Sequence, residues 1–128
     1  MAAISTGDYV SQSAAEIFSS DINDRIETLK GQIRESLQEG DEPFDEDVAE
    51  YDELREFRDR VQAETGNHFD QATIVPDDRF EDHARDWAHG ISDFEFLEKY
   101  VDWAEFAKDL RTDRYIQMSF GDDLVWVR

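Results

Sequence analysis

The sequence predicts an α+β fold: an acidic N-terminal helical hairpin, then a small antiparallel sheet of about three strands, ending in a β-hairpin and packed with helices. Three observations predict it. Apolar residues recur at three- and four-residue steps through 22–37 and again through 48–61, the period of a helix with one buried face. The last fourteen residues instead alternate apolar and polar around Gly121-Asp122, the pattern of two paired strands. Breakers fall between these stretches, at Gly40, Pro43, Gly66 and Pro76.

Residues 1–12 read as a loose arm, 13–66 as the helical acidic part and 67–128 as the α+β part of one domain. Ser13-Ala14-Ala15-Glu16 has the spacing of a capping box that would open a short helix with Ile17 and Phe18. Ile22, Ile26, Leu29, Ile33 and Leu37 then form one stripe on a helix from Asp21 to near Gly40, a glycine suited to the C-terminal cap. A second helix starts at Asp45 or Asp47, turns Val48, Tyr51, Leu54, Phe57 and Val61 inward, and ends near Gly66. The short proline-containing loop between the two favours an antiparallel pair.

Ala72-Thr73-Ile74-Val75 reads as a short strand, because the residue ahead of Pro76 is pushed to extended geometry and β-branched residues favour it. Asp77 or Asp78 can cap a helix running through His83, Ala84, Trp87 and Ala88 to Gly90, whereas 94–100 has no clear period. Asp102 caps the next helix, with Trp103, Phe106, Ala107 and Leu110 turned inward. A two-residue turn at Gly121-Asp122 would pair Met118 with Val125 and Ile116 with Val127; a three-residue turn would pair Met118 with Trp126. The Ile74 strand is the natural third member of that sheet.

The charge is the compositional outlier: 33 Asp and Glu against 13 Lys and Arg, a net of -20 on 128 residues. Solubility needs a net magnitude of about 2–8 in a small domain, and more adds self-repulsion to the folded state. Two circumstances offset that repulsion: a partner that binds polyanions, or a high-salt medium that screens it. Ten arginines against only Lys30, Lys99 and Lys108 fit the second. Such a chain should repel nucleic acid and anionic lipid. With no cysteine, neither disulfides, thiolate metal sites nor a cysteine nucleophile is available. Residues 1–8 lack the basic and apolar parts of a secretory signal, and no 18 apolar residues run together, so a cytoplasmic setting is expected.

Catalytic chemistry has little to work with. The histidines are His68, His83 and His89; the last two lie six apart, about 600° around a helix, and cannot bind a metal as an i, i+4 pair does. All three read as surface or cap residues. A calcium loop from Asp41 would put Pro43 third and Glu46 sixth, where glycine is required. No G-x-S-x-G, phosphate-cradling glycine loop or paired nucleophile and base is present. The expectation is a protein that is not an enzyme and uses no cofactor or metal.

What remains is a dense acidic tract: Glu39, Asp41, Glu42, Asp45, Glu46, Asp47, Glu50, Asp52, Glu53, Glu56 and Asp59, opposed only by Arg55 and Arg58. Along a helix this is roughly one negative charge per 3 Å, against one per 1.7 Å for duplex DNA. A second acidic element or subunit alongside would approach the DNA value, and a groove lined by Arg and Lys could accept such a surface. The eleven carboxylates are therefore the candidate partner-binding residues, with a merely solvated helix face as the alternative. On this reading, reversing charge at Asp45, Glu46, Glu50, Glu53 and Glu56 should abolish binding and leave the fold intact.

The C-terminal half adds a resemblance. Asp78-Arg79-Phe80-Glu81-Asp82-His83-Ala84-Arg85-Asp86-Trp87-Ala88, then Tyr100-Val101-Asp102-Trp103-Ala104-Glu105-Phe106-Ala107-Lys108-Asp109-Leu110 and the closing hairpin to Trp126-Val127-Arg128, resembles the end of the ArdA-type antirestriction proteins of phages and plasmids. It covers about residues 68–128; His83 stands where that family usually has Tyr, and the linker from Gly90 to Tyr100 is shorter than usual. The resemblance implies a mobile-element protein, usually dimeric, that mimics DNA and occupies the DNA-binding site of type I restriction-modification enzymes in the host cytoplasm. Asp102, Trp103, Ala107 and Leu110 match its motif as the cap and core of a helix. The other expectations carried forward are a small acidic structural or adaptor protein adapted to high salt, and an inhibitor of a CRISPR effector, whose basic channel poses the same problem.

Overall fold

The computed structural model describes residues 3–11, 15–91 and 101–128, with Gly90 and Ile91 by backbone only. It is an α+β fold in which a three-stranded antiparallel sheet lies between two helical layers. In chain order the elements are α1 (Thr6–Tyr9), α2 (Ser19–Gln38), α3 (Asp45–Thr65), β1 (Ile74–Pro76), α4 (Phe80–Ile91), α5 (Trp103–Arg114), β2 (Ile116–Phe120) and β3 (Asp123–Val127). Short 3₁₀ turns at Phe69–Gln71 and Asp77–Arg79 lead into β1 and α4.

The helical hairpin forms where the periodicity places it. At the end of α2, Gly40 takes φ +80° and the chain closes with Gly40 N–H on the Leu37 carbonyl (3.2 Å) and Asp41 N–H on the Ser36 carbonyl (2.9 Å). This double closure is the Schellman arrangement, which needs a left-handed residue and so selects glycine. Gly66, at φ +71°, ends α3 in the same left-handed geometry. The two helices double back on each other: residues 39–44 join one pair of ends, and Ser19 and Asn23 of α2 bond Asp70, just beyond α3.

The sheet has the order β1-β3-β2, and its register follows the two-residue turn: Met118 opposite Val125, Ile116 opposite Val127, and Ile74 also opposite Val127. Gly121 has φ +62° while no other residue type among those described is left-handed, the signature of a II′ turn with glycine first. Pro76 sits in the edge strand β1, where its missing N–H breaks no ladder. Asp102 caps α5 by accepting the Glu105 N–H at 3.2 Å, and Trp103, Ala107 and Leu110 are buried.

Strand alternation divides the interior. On one side of the sheet, Ile74, Met118, Phe120, Val125 and Val127 pack with Ile22, Ile26, Leu29, Leu54, Phe57 and Val61 of the hairpin. On the other, Val75 packs with Phe80 and Ala84 of α4, Ala107 and Leu110 of α5, and Tyr115, while Trp87, Phe106 and Trp126 close the rim.

Two expectations are corrected at the N-terminus. Residues 3–11 are not a loose arm: Ile4 is 4% exposed within the main core, and Tyr9 and Val10 pack against it. The anchors are distant in sequence, with the Thr6 N–H and hydroxyl both donating to Asp123 Oδ2, at 2.9 and 3.2 Å, so no local pattern announces them. Nor does Ile17 open a helix; it is extended, bridging Val10 on one side and Ile74 on the other. A buried β-branched residue with an extended strand beside it gains more from pairing than from one helical turn. Ser13 and Ala14 of the expected capping box, and residues 92–100, lie outside the described residues.

Candidate acidic interface

Helix α3 distributes its carboxylates around its axis. Leu54, Phe57 and Val61 face the core, so at 100° per residue Asp45, Asp52, Glu56 and Asp59 fall on the opposite side, and all four are exposed. They form one ridge about 21 Å long, roughly one charge per 7 Å, which is sparser than a single DNA strand at 3.4 Å per phosphate. The straight count along the sequence overestimates the density because it ignores this spread. Glu39, Asp41 and Glu42, in the loop, and Glu46, in the first turn of α3, are exposed as well, whereas Asp47 is half-buried. Negative charge at Asp45, Glu46 and Asp47 also offsets the partial positive charge of the helix N-terminus, so these three serve the fold whatever else they do.

Two of the eleven tract carboxylates are tied into the structure. Glu50 receives Arg25 Nε at 2.7 Å and Nη2 at 2.8 Å, and also the Tyr9 hydroxyl. Glu53 accepts the Ala3 N–H at 2.6 Å. The Arg25 hydrogen bonds hold the Glu50 carboxyl below its ordinary pKa, with Tyr9 adding to the effect against the opposing push of burial. Burial, then the Glu50 hydrogen bond, raise the Tyr9 phenol well above its usual range. These groups clamp the N-terminal arm and α2 to α3. The expectation that charge reversal at Glu50 and Glu53 would spare the fold is therefore corrected: their partners are part of it.

Outside those two, positive charge does little to neutralise the tract. Among the described residues no ion pair ties Glu39, Asp41, Glu42, Asp45, Glu46, Asp52 or Glu56. Asp59 faces Arg58 Nε at 3.9 Å on the surface, a pair of small energetic weight. Arg55 lies over the Tyr51 ring, 5.5 Å from its centroid. Helix α2 adds exposed Asp21, Asp24, Glu27 and Glu35, a second acidic element. Read at helical spacing, Asp24, Glu27 and Glu35 lie opposite Ile22, Ile26 and Leu29, with Asp21 on the flank, and that signal could have found them. Beyond the hairpin, Asp78, Asp82, Glu105 and Asp109 are exposed too, so acidity reaches both helical layers.

The turn end of the hairpin is also where large apolar groups meet solvent. Phe44 is 76% exposed and Leu37 62%. Leu37 also lines a shallow groove, with Lys30, Ile33, Arg34, Gln38 and Tyr51.

The histidines take different places from those expected of surface or cap residues in one case. His83 is half-buried, sharing a 2.8 Å hydrogen bond between Nε2 and the Tyr115 hydroxyl, with Glu16 Oε2 3.9 Å from Nδ1. Burial lowers its pKa, against the pull of Glu16 and Asp86. His68 and His89 are exposed, and the His89 ring stacks with Trp103 at a centroid distance of 6.3 Å. Among the described residues no three His, Asp or Glu side chains come together as a metal-binding group, and no helix is long and apolar enough to cross a membrane.

The chain matches no protein-family model, and none of the curated proteins or solved structures compared with it is significantly similar.

Proposed function

We propose that this protein is a noncatalytic DNA mimic that inhibits a host defence nuclease of the type I restriction-modification kind by occupying its DNA-binding groove. The observation that carries the reading is the ridge of Asp45, Asp52, Glu56 and Asp59, solvent-facing on a helix whose other face is fixed in the core. A rigid row of carboxylates with few competing cations presents charge in a set geometry, as a phosphate backbone does, and it loses little conformational entropy on docking. Exposed carboxylates on α2 widen the charged surface, and a second copy of the chain, as in the dimers of the ArdA-type proteins, would extend it. The motif resemblance of residues 68–128 to those proteins supports the same target.

A competition titration tests this. Fluorescent duplex bound to a type I methyltransferase is displaced by the protein at low and moderate salt, read by anisotropy. The expected result is displacement that weakens as salt rises. A variant carrying Asp45→Asn, Asp52→Asn, Glu56→Gln and Asp59→Asn should lose it. One carrying Asp78→Asn, Asp82→Asn, Glu105→Gln and Asp109→Asn, the same charge removed elsewhere, should keep most of it. Equal loss in both would leave net charge, and not the ridge, as the cause. Absence of displacement by a folded protein sinks this target, and the same titration on a CRISPR effector then asks whether another basic channel is the partner.

The salt-adaptation reading has its own observation, the spread of exposed carboxylates over α4 and α5 away from the ridge. It requires the chain to lose structure at low ionic strength. Circular dichroism between low and molar salt separates the two, since a mimic must be folded where its charges still act.

A further inference from the structure

Phe44 occupies the N-cap of α3, where Ser, Thr, Asp or Asn would accept a hydrogen bond from the first turn, and its side chain makes no such bond. The ring is also not spent on the core, being 76% exposed. Phe18, at the equivalent position ahead of α2, is far more covered, at 37%. Position 44 thus breaks two local rules at once, losing a side-chain cap and exposing an aromatic. Residues that do so are expected at functional sites.

The backbone beneath the ring is stiff. Pro43 precedes it with a fixed φ, and the Phe44 carbonyl accepts the Asp47 and Val48 N–H groups at 3.0 and 3.1 Å. Asp41 and Glu42 stand on one side in sequence and Asp45 and Glu46 on the other, all exposed. A flat ring on a rigid stem between flanking anions is chemically what an unstacked nucleobase between phosphates offers to a nucleic-acid-binding site. Such sites receive the base on aromatic or guanidinium planes. With four exposed carboxylates within three residues of it in sequence, the complementary group is cationic, and a guanidinium both stacks on aromatic faces and pairs with carboxylates.

We infer that Phe44 is a base-mimicking anchor that stacks on an arginine guanidinium in the DNA-binding groove of the target enzyme. The inference rests on the DNA-mimic reading and adds a second, contact-dependent component to the salt-dependent one of the ridge. Stacking of one base is worth about ten- to hundredfold in affinity, so removing the ring should weaken displacement by that factor and leave its salt dependence unchanged.

The test uses the same anisotropy competition on the type I methyltransferase with the full chain. Phe44→Ala and Phe44→Leu should both lose roughly tenfold or more, and Phe44→Trp should retain wild-type displacement, because a cation recognises the ring face and not its apolar bulk. Phe44→Ser restores a capping oxygen and should raise Tm by about 3 °C while weakening displacement like the alanine variant, which separates function from folding. Wild-type displacement by Phe44→Ala overturns the inference with the ridge reading intact. Loss on Phe44→Ala with full rescue by leucine overturns the guanidinium as the occupant. No displacement by folded wild-type protein overturns the type I target, and this inference with it.

Discussion

Replacing Glu50 with glutamine tests whether the acidic tract is divided between folding and contact as its partners indicate. The carboxylate receives two hydrogen bonds from Arg25, at 2.7 and 2.8 Å, and one from the Tyr9 hydroxyl. Hydrogen bonds to a charged group contribute about 1.5–3 kcal/mol, and breaking a fully buried pair costs about 3–5 kcal/mol. Here the Glu50 side chain is 18% exposed and that of Arg25 39%, so solvent screens part of the interaction. The working value is about 2 kcal/mol, or a fall in Tm of about 7 °C for a chain of this length. Removing one charge from a net of -20 relieves repulsion and acts in the opposite sense. Asp52→Asn, on the outer ridge, calibrates that relief and should change stability by less than about 0.5 kcal/mol. Urea unfolding at pH 7 and moderate salt compares the two variants with wild type. If Glu50→Gln unfolds within about 0.5 kcal/mol of Asp52→Asn, Glu50 is not a structural clamp and the division of the tract fails.

The same pair predicts pH behaviour. Because the folded Glu50 carboxyl lies below its ordinary 4.5, the unfolded chain takes up the proton first, so its contribution is present above that value and lost as pH falls through the folded one. Glu50→Gln should flatten that part of the acid limb of a urea-midpoint profile. His83, held below 6.5 by burial, has the same sign: its contribution is complete above 6.5 and lost as pH falls through the depressed folded value. His83→Gln should narrow the difference in urea midpoint between pH 7.5 and 5.5; an unchanged difference would remove His83 from acid sensitivity. Gly66→Ala should cost about 1–2 kcal/mol by chemical denaturation, since a left-handed φ of +71° strains any side chain although nothing crowds the position. Phe120→Ala should cost about 3–5 kcal/mol, since the ring is fully buried and meets Phe57 and Tyr9 edge-on at 4.8 and 5.5 Å; a small loss in Tm would mean the core relaxes around it.

Local patterning accounts for most of the elements. The stripes that begin at Ile22 and Val48, the glycines that end the two helices, and the Gly121 turn each carry their own instruction within a few residues, and the structure follows them. The exception is Leu37, which the period of α2 turns inward but which lies beyond the end of the core and is exposed. The arm was illegible because Ile4, Thr6 and Tyr9 are held by Glu50, Asp123 and the core, partners that no window of sequence contains. The burial of His83 is hidden for the same reason, since it depends on Tyr115, 32 residues away. In the tract, charge density was visible and direction was not. Glu50 is set apart from Asp52 by the side of the helix it occupies, which puts Arg25 of another helix and the Tyr9 hydroxyl opposite it. Phe44 carries no signal in the sequence, because a lone aromatic in a loop gives no period.

The sheet's two faces have a consequence for how this molecule could be minimised or recombined. Ile74 and Val75 are neighbours in sequence yet belong to different cores, and the hairpin's core is completed by Met118, Phe120, Val125 and Val127 from the far end of the chain. The charged helices are thus not a cassette. A peptide spanning 19–65 would carry every ridge carboxylate but expose Leu54, Phe57 and Val61, and it would not hold the two helices in register. Transplanting the surface to another scaffold means transplanting the strands behind it. Sequence drift is constrained in the same way, since the acidic exterior can vary one carboxylate at a time while the helices that display it can be replaced only together with the C-terminal hairpin.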